Sequence, residues 1–328
     1  MFKFIRQVVV LPCLVIAMNG DTTILNTNFG KCMLCGESEF AFVHKLRDDD
    51  KRNVFKCASC GHVQIVPLPS AGEDYEFYQS GKMYERSFKN PSEINNNDKL
   101  ANRMRAFVEY QPRKLINYLH ADWKILEIGS AFGWLVQNLS ERGYDIEGVE
   151  ISDECRNIYR IRTGKDLLSF NFLTDEPGML AKYEHYDCIC AFHTLEHITD
   201  PVTFLTRAAK LLKPGGFAYI EVPNHDDYML QLSGKYAEHY YARIHVSYYS
   251  PATLSLLLEK SGFENVSVTG NQIYSPENVL QWLRYGEPFL EYHQIDLPEP
   301  IQWLNKIYKD RVESELKSCA IIGMGTKK

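Results

Sequence analysis

The chain has 328 residues, of which 45% are hydrophobic and 24% are charged. This length predicts one sizeable domain with a smaller attachment, and the net charge of −6 argues against a protein whose main activity is nonspecific binding of nucleic acid. Four of the nine cysteines form two matched pairs, which indicates metal binding in a reducing compartment rather than a disulfide framework. We therefore expect a cytoplasmic protein.

Residues 1–29 are expected to form an N-terminal extension. Lys3 and Arg6 precede an apolar run, VVVLPCLVIAM, which is too short to span a bilayer because a spanning helix takes roughly 20 apolar residues. One interpretation is a cleaved signal peptide, since small residues are spaced like a cleavage site. A signal peptide would carry the cysteine pairs away from reducing conditions, so we favour a frayed or packed extension, with Met18 as a candidate start.

Residues 30–66 contain two C-x-x-C pairs, each followed by a glycine. Zinc prefers a tetrahedron of ligands, and each pair offers two thiolates from one tight turn. The residues between the pairs predict two hairpin strands, over 40–46 and 54–56. The alternatives are a redox dithiol or simply buried cysteines. We predict a zinc ribbon with structural Zn²⁺, because four thiolates leave no open position for chemistry; its ligands are Cys32, Cys35, Cys57 and Cys60.

Residues 67–119 predict a linker followed by a helical arm. Prolines and a glycine open the segment, and a stretch rich in Tyr and Phe follows. These aromatic residues can either reach over a substrate or pack the arm onto the domain. A helix is predicted over 99–119, and Pro112 should kink or break it.

Residues 120–328 alternate between strand and helix patterns. The first strand, turn, helix and second strand form a βαβ unit that ends near Glu150. A later helix is predicted to begin at Asp200 and to stop at Pro214, and a helical insertion is expected at about 271–318. This alternation predicts a parallel sheet with right-handed crossovers. The further strands are predicted over 186–192, 217–222, 263–268 and 319–324.

The turn after the first strand indicates which ligand it holds. A dinucleotide pattern, G-x-G-x-x-G, would fall on Gly129, Ala131 and Trp134, so two of its three glycines are missing. Glu127 stands just before the turn, where a carboxylate would repel a phosphate and suit a cation. S-adenosylmethionine carries an ammonium and a sulfonium and no phosphate. Glu150 is placed to accept the ribose hydroxyls of either ligand.

Four stretches, ILEIGSAFG, GVE, YDCICAFHTLEHITDPVTFL and LLKPGGFAYIEVPN, together resemble the class I S-adenosylmethionine-dependent methyltransferases. The closest resemblance is to bacterial members that carry an N-terminal zinc ribbon and modify sugars or surface glycans. The likeness covers about residues 30–270 and the final strand. It implies an α/β, Rossmann-like fold with a seven-stranded sheet, helices on both faces and an antiparallel last strand. The cofactor would lie across the carboxyl ends of the strands.

The resemblance also implies which residues hold the cofactor. The methionine end would be lined by Glu127, Gly129, Ser130 and Gly133, the ribose by Glu150, and the adenine by Asn171 or Phe172, with His193 just past the fourth strand. Many relatives have a second glycine where this chain has Ala131, so the cofactor would approach more tightly there.

Methyl transfer is an in-line displacement at a sulfonium, so alignment supplies much of the rate and a base removes the proton of the acceptor. We predict His245 and His197 as candidate bases, because imidazole titrates near neutrality. Glu196 in the LEH motif is a third catalytic candidate, which could instead orient the cofactor. Each histidine could equally be a hydrogen-bonded structural residue. Similar sugar C-methyltransferases read Tyr-His-Glu-His where this chain reads ARIH; the mismatches at Ala242 and Ile244 favour O-methylation.

The predicted function is methyl transfer from S-adenosylmethionine to a small polar acceptor, a hydroxyl of a nucleotide-linked or glycan sugar. RNA methylation is a second hypothesis, but residues 31–62 hold six Lys or Arg against five Asp or Glu, which is too balanced for a basic RNA-binding ribbon. A third hypothesis is a noncatalytic docking module. We expect a small-molecule partner, no nucleic acid and no membrane span.

Overall fold

The computed structural model of the chain describes residues 16–17, 24–26, 30–70, 72–73, 110, 112–174, 176–287 and 299–328. The predicted N-terminal extension and helical arm lie largely outside these residues, as does the middle of the predicted insertion. The helix predicted over 99–119 is described at Tyr110 and from Pro112 onward, where a short helix passes into a 3₁₀ turn at Ile116–Tyr118.

The described residues form twelve strands in two sheets. In chain order the strands are β1 (Ile16–Ala17), β2 (Ile24–Asn26), β3 (Glu39–Lys45), β4 (Asn53–Cys57), β5 (Val63–Val66), β6 (Lys124–Ile128), β7 (Asp145–Val149), β8 (Tyr186–Phe192), β9 (Leu212–Pro223), β10 (Ser247–Tyr248), β11 (Phe263–Asn271) and β12 (Ala320–Lys327).

The helices cover the larger sheet and fill the predicted insertion. In chain order they are α1 (Pro112–Leu115), α2 (Trp134–Glu141), α3 (Asp153–Thr163), α4 (Pro177–Leu180), α5 (Pro201–Leu211), α6 (Met229–Leu232), α7 (Gly234–Tyr240), α8 (Pro251–Lys260), α9 (Pro276–Tyr285) and α10 (Gln302–Ser314). Not one of the helices described in this way has the length and apolar character needed to cross a membrane.

The larger sheet has the strand order β11-β12-β9-β8-β6-β7. Strands β6 to β9 are parallel, and β12 runs antiparallel between β9 and β11, so the α/β fold and its antiparallel last strand are confirmed. Glu127 in β6 lies beside Gly148 in β7 and Cys190 in β8. The chain order reverses between β6 and β8, and a crevice for a ligand is expected beyond the carboxyl ends at such a point.

The prediction of seven strands is wrong for the described residues, which give this sheet six. Where a seventh strand would lie, Leu168 makes one parallel bridge with Val149. Its N–H donates to the Gly148 carbonyl over 2.8 Å, and its carbonyl accepts the N–H of Glu150 over 3.0 Å. The pairing does not continue beyond this bridge. The chain turns shortly afterwards, where the N–H of Thr174 donates to the Asn171 carbonyl.

Helices bury both faces of the larger sheet. On one face α2 packs Leu135 and Leu139 with Ile125 of β6 and with the predicted buried residues Cys188 and Cys190 of β8. On the other face α5 and α8 pack against residues that alternate with these along the same strands. This period of two places successive side chains of β6 in opposite layers. The register of the strand therefore decides which of its side chains face each layer.

The helix predicted to run from Asp200 to Pro214 ends earlier than expected. Its start is as predicted, because the Asp200 carboxylate accepts the N–H of Thr203 over 3.0 Å. The helix ends at Leu211, and Leu212 is already extended, fully buried and paired with Tyr186 of β8. Burial and pairing of Leu212 therefore decide the boundary, and the Pro-Gly-Gly stretch lies within the start of β9.

The smaller sheet joins the N-terminal ribbon to a segment of the larger domain. Its strand order is β1-β2-β3-β4-β5-β10, and β3 and β4 are the predicted hairpin. Strand β10 comes from the chain after α7 and pairs Ser247 with Gln64 and Tyr248 with Val63. Tyr248 is buried together with Ile65. The segment that carries His245 therefore lies directly against the ribbon.

Candidate cofactor and acceptor site

The turn after β6 requires glycine at its first position. Gly129 has φ +78°, and a Cβ atom there would lie 2.3 Å from Oγ1 of Thr194. Thr194 follows β8, and its hydroxyl also donates to the Ile128 carbonyl over 3.2 Å. The N–H groups of Gly129 and Ser130 both donate to the Val149 carbonyl over 2.9 Å. These contacts hold the ends of β6, β7 and β8 together at the predicted cofactor turn.

The rest of the turn brings the chain into α2. Gly133 precedes this helix with φ +67°, and a Cβ atom there would lie 2.3 Å from the ring of Tyr159. Ala131, which stands where many relatives have glycine, has φ +45°. Backbone strain at a residue other than glycine in this left-handed region costs roughly 1–2 kcal/mol. Alanine adds the smallest side chain that incurs this strain. The hydroxyl of Ser130 turns inward and donates to the Glu127 carbonyl over 3.2 Å.

Glu150 at the tip of β7 is connected to this turn. Its Oε2 accepts the N–H of Ala131 and its Oε1 accepts the N–H of Ser152, each over 2.8 Å. Burial raises the pKa of Glu150, while these N–H groups partly offset the shift. Each carboxylate oxygen has two acceptor sites, so the side chain retains capacity for ribose hydroxyls in the position predicted for it.

Glu127 is buried beneath the turn, with 5% of its surface exposed. Among the described residues its Oε2 has no hydrogen-bond partner. Burial raises the pKa of Glu127 to about 8, and the nearby charge of Glu150 adds to the effect. A buried carboxylate without a cation is unfavourable, so this position suits a ligand that brings positive charge.

Asn171 and Phe172 follow the single bridge at Leu168, beyond the tip of β7. The amide oxygen of Asn171 accepts the N–H of Leu173 over 2.9 Å and so shapes the turn. The ring of Phe172 is buried in the core and packs on Phe204 with centroids 5.1 Å apart. Of these two predicted neighbours of the adenine, Asn171 is the more exposed.

His193, just past β8, lies between two buried carboxylates. Its Nδ1 is 3.4 Å from Oε1 of Glu196, and its Nε2 is 3.2 Å from Oε1 of Glu221. Burial alone would lower the pKa of His193, but the two carboxylates raise it to about 10. Asn271 of β11 donates to Oε2 of Glu221 over 2.8 Å. The ends of β8, β9 and β11 are thus joined by one polar network.

The three predicted catalytic residues converge beside this network. Nδ1 of His197 lies 2.7 Å from the Ile244 carbonyl, and its Nε2 is 4.0 Å from Oε1 of Glu196. The rings of His197 and His245 have centroids 5.1 Å apart. Burial lowers the pKa of His245 to about 3. Burial alone would raise the pKa of Glu196, but the surrounding imidazoles lower it to about 2.

A protein-family profile described as "Methyltransferase domain" matches residues 98–268, just over half of the chain. The chain belongs to this methyltransferase family. Two similar curated proteins are ubiquinone biosynthesis O-methyltransferases: that of Azoarcus sp. (strain BH72) is 25% identical over 51% of this chain and 79% of its own length, and that of Thiobacillus denitrificans is 24% identical over 51% and 80%. A solved Thermotoga maritima methyltransferase, described as a possible histamine N-methyltransferase, covers 77% of this chain and 99% of its own, with 19% identity and a TM-score of 0.48.

The family confirms the predicted enzyme class, an S-adenosylmethionine-dependent methyltransferase. In this methyltransferase, the turn at Gly129 and the cluster around Glu196 both lie at carboxyl ends of parallel strands. In open α/β sheets this edge binds ligands. The buried carboxylates and imidazoles can therefore act on a bound cofactor and on a second, polar molecule beside it.

Sequence reasoning missed two residues of this site, Thr194 and Glu221. Thr194 packs against the glycine turn, and Glu221 is 1% exposed and holds His193. The signal was present, because both residues stand at the carboxyl ends of predicted strands. A polar residue at the carboxyl end of a parallel strand is therefore a candidate site residue even where no motif includes it.

The four predicted zinc ligands also come together. Sγ of Cys32 is 3.5 Å from Sγ of Cys60, and Sγ of Cys35 is 3.5 Å from Sγ of Cys57. All four sulfurs lie within 4.8 Å of one another. Sulfurs around a tetrahedral zinc with bonds of 2.3 Å are about 3.8 Å apart, so the cluster is compatible with a zinc ribbon.

Proposed function

We propose that this methyltransferase moves the methyl group of S-adenosylmethionine to a hydroxyl of a small polar acceptor, with a sugar hydroxyl as the first candidate. The observation that carries the proposal is the convergence of Glu196, His197 and His245 beside the cofactor edge. A largely buried cluster of polar side chains favours an acceptor that offers several hydrogen-bonding groups. The two similar curated proteins are O-methyltransferases, which supports oxygen as the atom methylated.

The cofactor is held in this proposal by the residues around the Gly129 turn. Glu127 faces the positively charged end of S-adenosylmethionine, Gly129 and Gly133 let the backbone approach it, and Glu150 accepts the ribose hydroxyls. Asn171 borders the adenine. The cofactor supplies an electrophilic methyl group, and the protein aligns it with the acceptor oxygen, which is worth up to about 7–11 kcal/mol in well-oriented reactions.

The acceptor lies beside His245 and His197, and one imidazole receives its proton. The lowered pKa of His245 keeps this ring neutral near pH 7, with a lone pair on a ring nitrogen. His193 and Glu196 form the polar wall between this pocket and the cofactor. The same arrangement suits a phenolic hydroxyl, and the names of the similar curated proteins favour a precursor of ubiquinone as the second candidate acceptor.

The four cysteines in this proposal hold a structural zinc ion, which stabilises the ribbon against β10. Burial raises the pKa of Cys32, and it raises that of Cys60 to about 11. Zinc binding would therefore release protons from the thiols. Reduced thiols need a reducing compartment, which supports a cytoplasmic location.

The test is a methyl-transfer assay on the purified full-length protein with S-adenosylmethionine. The acceptor panel contains nucleotide-linked sugars, free sugars and catechol-type phenols, and mass spectrometry identifies the methylated product. We expect an O-methylated sugar whose formation is lost in His245→Ala. O-methylation of the phenols alone would favour the second acceptor, and methylation of nitrogen or carbon only would refute the proposal.

A further inference from the structure

The cluster of Glu196, His197 and His245 has the composition of a metal site as well as that of an acid-base site. One ligand atom from each of these residues lies within 4.8 Å of the others. Glu196 and His197 belong to the 3₁₀ turn after β8, and His245 precedes β10. A segment that bears a carboxylate and an imidazole thus meets a second imidazole from a segment distant in sequence, beside the proposed acceptor.

His197 has its ring orientation fixed in the way that metal ligands require. Its Nδ1 lies 2.7 Å from the carbonyl oxygen of Ile244, so Nδ1 carries the proton and donates it. The lone pair then belongs to Nε2, which faces Glu196 across 4.0 Å. Histidines that bind metals almost always donate their other ring N–H to a carbonyl or carboxylate.

The other two residues offer buried polar atoms that lack hydrogen bonds. Nδ1 of His245 and Oε2 of Glu196 are enclosed and have no hydrogen-bond partner among the described residues, whereas Oε1 of Glu196 makes the 3.4 Å ion-pair contact with Nδ1 of His193 and the 4.0 Å contact with Nε2 of His197. Glu196 is 1% exposed. A buried polar atom without a partner costs roughly 1–3 kcal/mol, so Nδ1 of His245 and Oε2 of Glu196, on residues whose ligand atoms lie within 4.8 Å of one another, indicate a missing ligand.

The balance of charged groups also favours a cation. The buried carboxylates Glu196 and Glu221 share one basic neighbour, His193, which lies 3.4 Å from the first and 3.2 Å from the second. Asn271, the further partner of Glu221, is neutral. Buried charges are normally paired or bound to metals, and the one imidazole of His193 is shared between these two carboxylates, although His197 and, more remotely, Arg47 also act on the cluster.

We propose that Glu196, His197 and His245 bind a divalent metal ion, with zinc as the best match, and that this ion holds the hydroxyl group of the acceptor. Two imidazoles and one carboxylate suit zinc, and three protein ligands leave a position open for a substrate. Ligand atoms around zinc are about 3.4 Å apart, whereas these atoms lie within 4.8 Å of one another, so binding would draw the side chains closer together. The role of the ion rests on the proposed function, but its binding does not.

The chemistry that follows is a balanced substitution. A metal-bound hydroxyl is a stronger acid than a free one. With His197 and His245 acting as ligands, the acceptor oxygen would release its proton to water instead of to an imidazole. That oxygen forms a bond to the methyl carbon as the carbon–sulfur bond breaks, and the bonding pair stays on sulfur. The products are the methyl ether, S-adenosylhomocysteine and one proton.

The test uses the full-length protein after its cysteine site has been filled with one equivalent of zinc. Cobalt(II) is then titrated in and followed by visible absorption and calorimetry. We expect one further saturable equivalent whose spectrum lacks the charge-transfer bands of thiolate ligands. Absence of this second equivalent, or thiolate bands in its spectrum, would overturn the proposal from the wild-type protein alone.

Variants locate the ion. Glu196→Gln and His245→Asn should each weaken cobalt binding at least tenfold, and His197→Gln provides a further variant should either fail to fold. His185→Asn is the matched control, because His185 also has a buried ring nitrogen without a hydrogen-bond partner in the described part of the chain but belongs to no ligand cluster. An unchanged far-ultraviolet circular dichroism spectrum and a cooperative thermal transition report intact folding. Unchanged cobalt binding in folded variants would contradict the proposal.

The same measurements separate this proposal from the proposed function. Saturable cobalt binding without methylation of any hydroxyl acceptor would keep the metal site and reject the function. Hydroxyl methylation by a protein that binds no second metal would keep the function and reject the site.

Discussion

The backbone N–H of Ala131 donates to Oε2 of Glu150 over 2.8 Å, which connects the glycine turn to the tip of the neighbouring strand. The other oxygen of Glu150 accepts the N–H of Ser152 at the start of α3. One carboxylate thus positions three elements, and the same carboxylate is the proposed acceptor of the ribose hydroxyls. Preorganisation of this kind reduces the ordering that binding would otherwise require.

Replacement of Glu150 by alanine should weaken the binding of S-adenosylmethionine at least tenfold. The change removes the proposed bonds to the ribose and releases two backbone N–H groups, and hydrogen bonds to charged groups contribute about 1.5–3 kcal/mol each. Calorimetric titration measures the effect. Glu154→Ala, an exposed position on the first turn of α3, is the control and should bind as wild type does; equal affinity in both variants would remove Glu150 from the site.

Gly129→Ala should destabilise the protein more than Gly143→Ala does. Both glycines have positive φ, so both substitutions incur backbone strain of about 1–2 kcal/mol. Only at Gly129 would the new Cβ atom meet a side chain, 2.3 Å from Thr194 Oγ1, whereas Gly143 has nothing within 4 Å. Urea denaturation of the two variants isolates the cost of the contact, which we expect to be about 1–3 kcal/mol. Equal losses of stability in the two variants would mean that the Thr194 side chain moves aside at no cost in free energy.

Affinity for S-adenosylmethionine should rise with pH between about 6 and 8. The pKa of Glu127 is about 8 in the folded protein, so at lower pH a cationic ligand must first displace a proton, which costs up to about tenfold in affinity per pH unit. Calorimetry across this range measures the slope. In Glu127→Gln the slope should vanish, apart from that of the cofactor's own amino group, and affinity should be weak throughout. An identical slope in both proteins would exclude Glu127 as its source.

The same residue predicts a pH-dependent stability. The pKa of Glu127 rises from its ordinary value of 4.5 to about 8 on folding, so between these values the folded state holds a proton that the unfolded state has released. Stability from this group therefore declines as pH increases from 4.5 to 8. Thermal melting should show Glu127→Gln close to wild type at pH 5 and more stable than wild type at pH 8. A constant difference between the two proteins would contradict this.

Much of the fold was predictable because local signals agreed with burial. Strand β8 has the predicted bounds, 186–192, since its apolar residues are buried on both faces and leave little choice of boundary. Helix α5 was predicted three residues too long because proline and glycine were taken as its stop. Pairing of Leu212 with Tyr186 is a long-range contact, and no local pattern contains it.

The candidate site residues that belong to one local motif could be predicted, whereas the contacts between residues from distant segments of the chain could not. Glu127, Gly129 and Glu150 lie in one βαβ unit, so their proximity follows from local order. Glu221 was missed because its role depends on His193, which reaches it only through the pairing of β8 with β9. The sheet's seventh strand was expected from resemblance, whereas the chain leaves the sheet after the one bridge at Leu168.

Removal of the proposed zinc ion from the cysteine cluster should lower the melting temperature and loosen the segment around His245. The ribbon is joined to this segment by the pairing of β5 with β10, and the ring of His62 packs on Tyr249 with centroids 5.3 Å apart. Structural zinc sites contribute directly to folding free energy. Treatment with a chelator, followed by thermal melting and hydrogen exchange at residues 245–249, measures both effects, and we expect partial loss of exchange protection there before the core of the larger sheet is affected.

Cys57→Ser should reproduce the chelated state, because three remaining thiolates bind zinc more weakly. Cys155→Ser is the control, since Cys155 is also buried but lies on α3, away from the cluster. It should retain the zinc ion of the cysteine cluster and show unchanged protection at residues 245–249, although burying a hydroxyl lowers its overall stability. A melting curve that chelation leaves unaltered, in a protein shown by elemental analysis to have lost its zinc, would contradict a structural role for the metal. Loss of protection in Cys155→Ser as well would show that the segment responds to general destabilisation rather than to the ribbon.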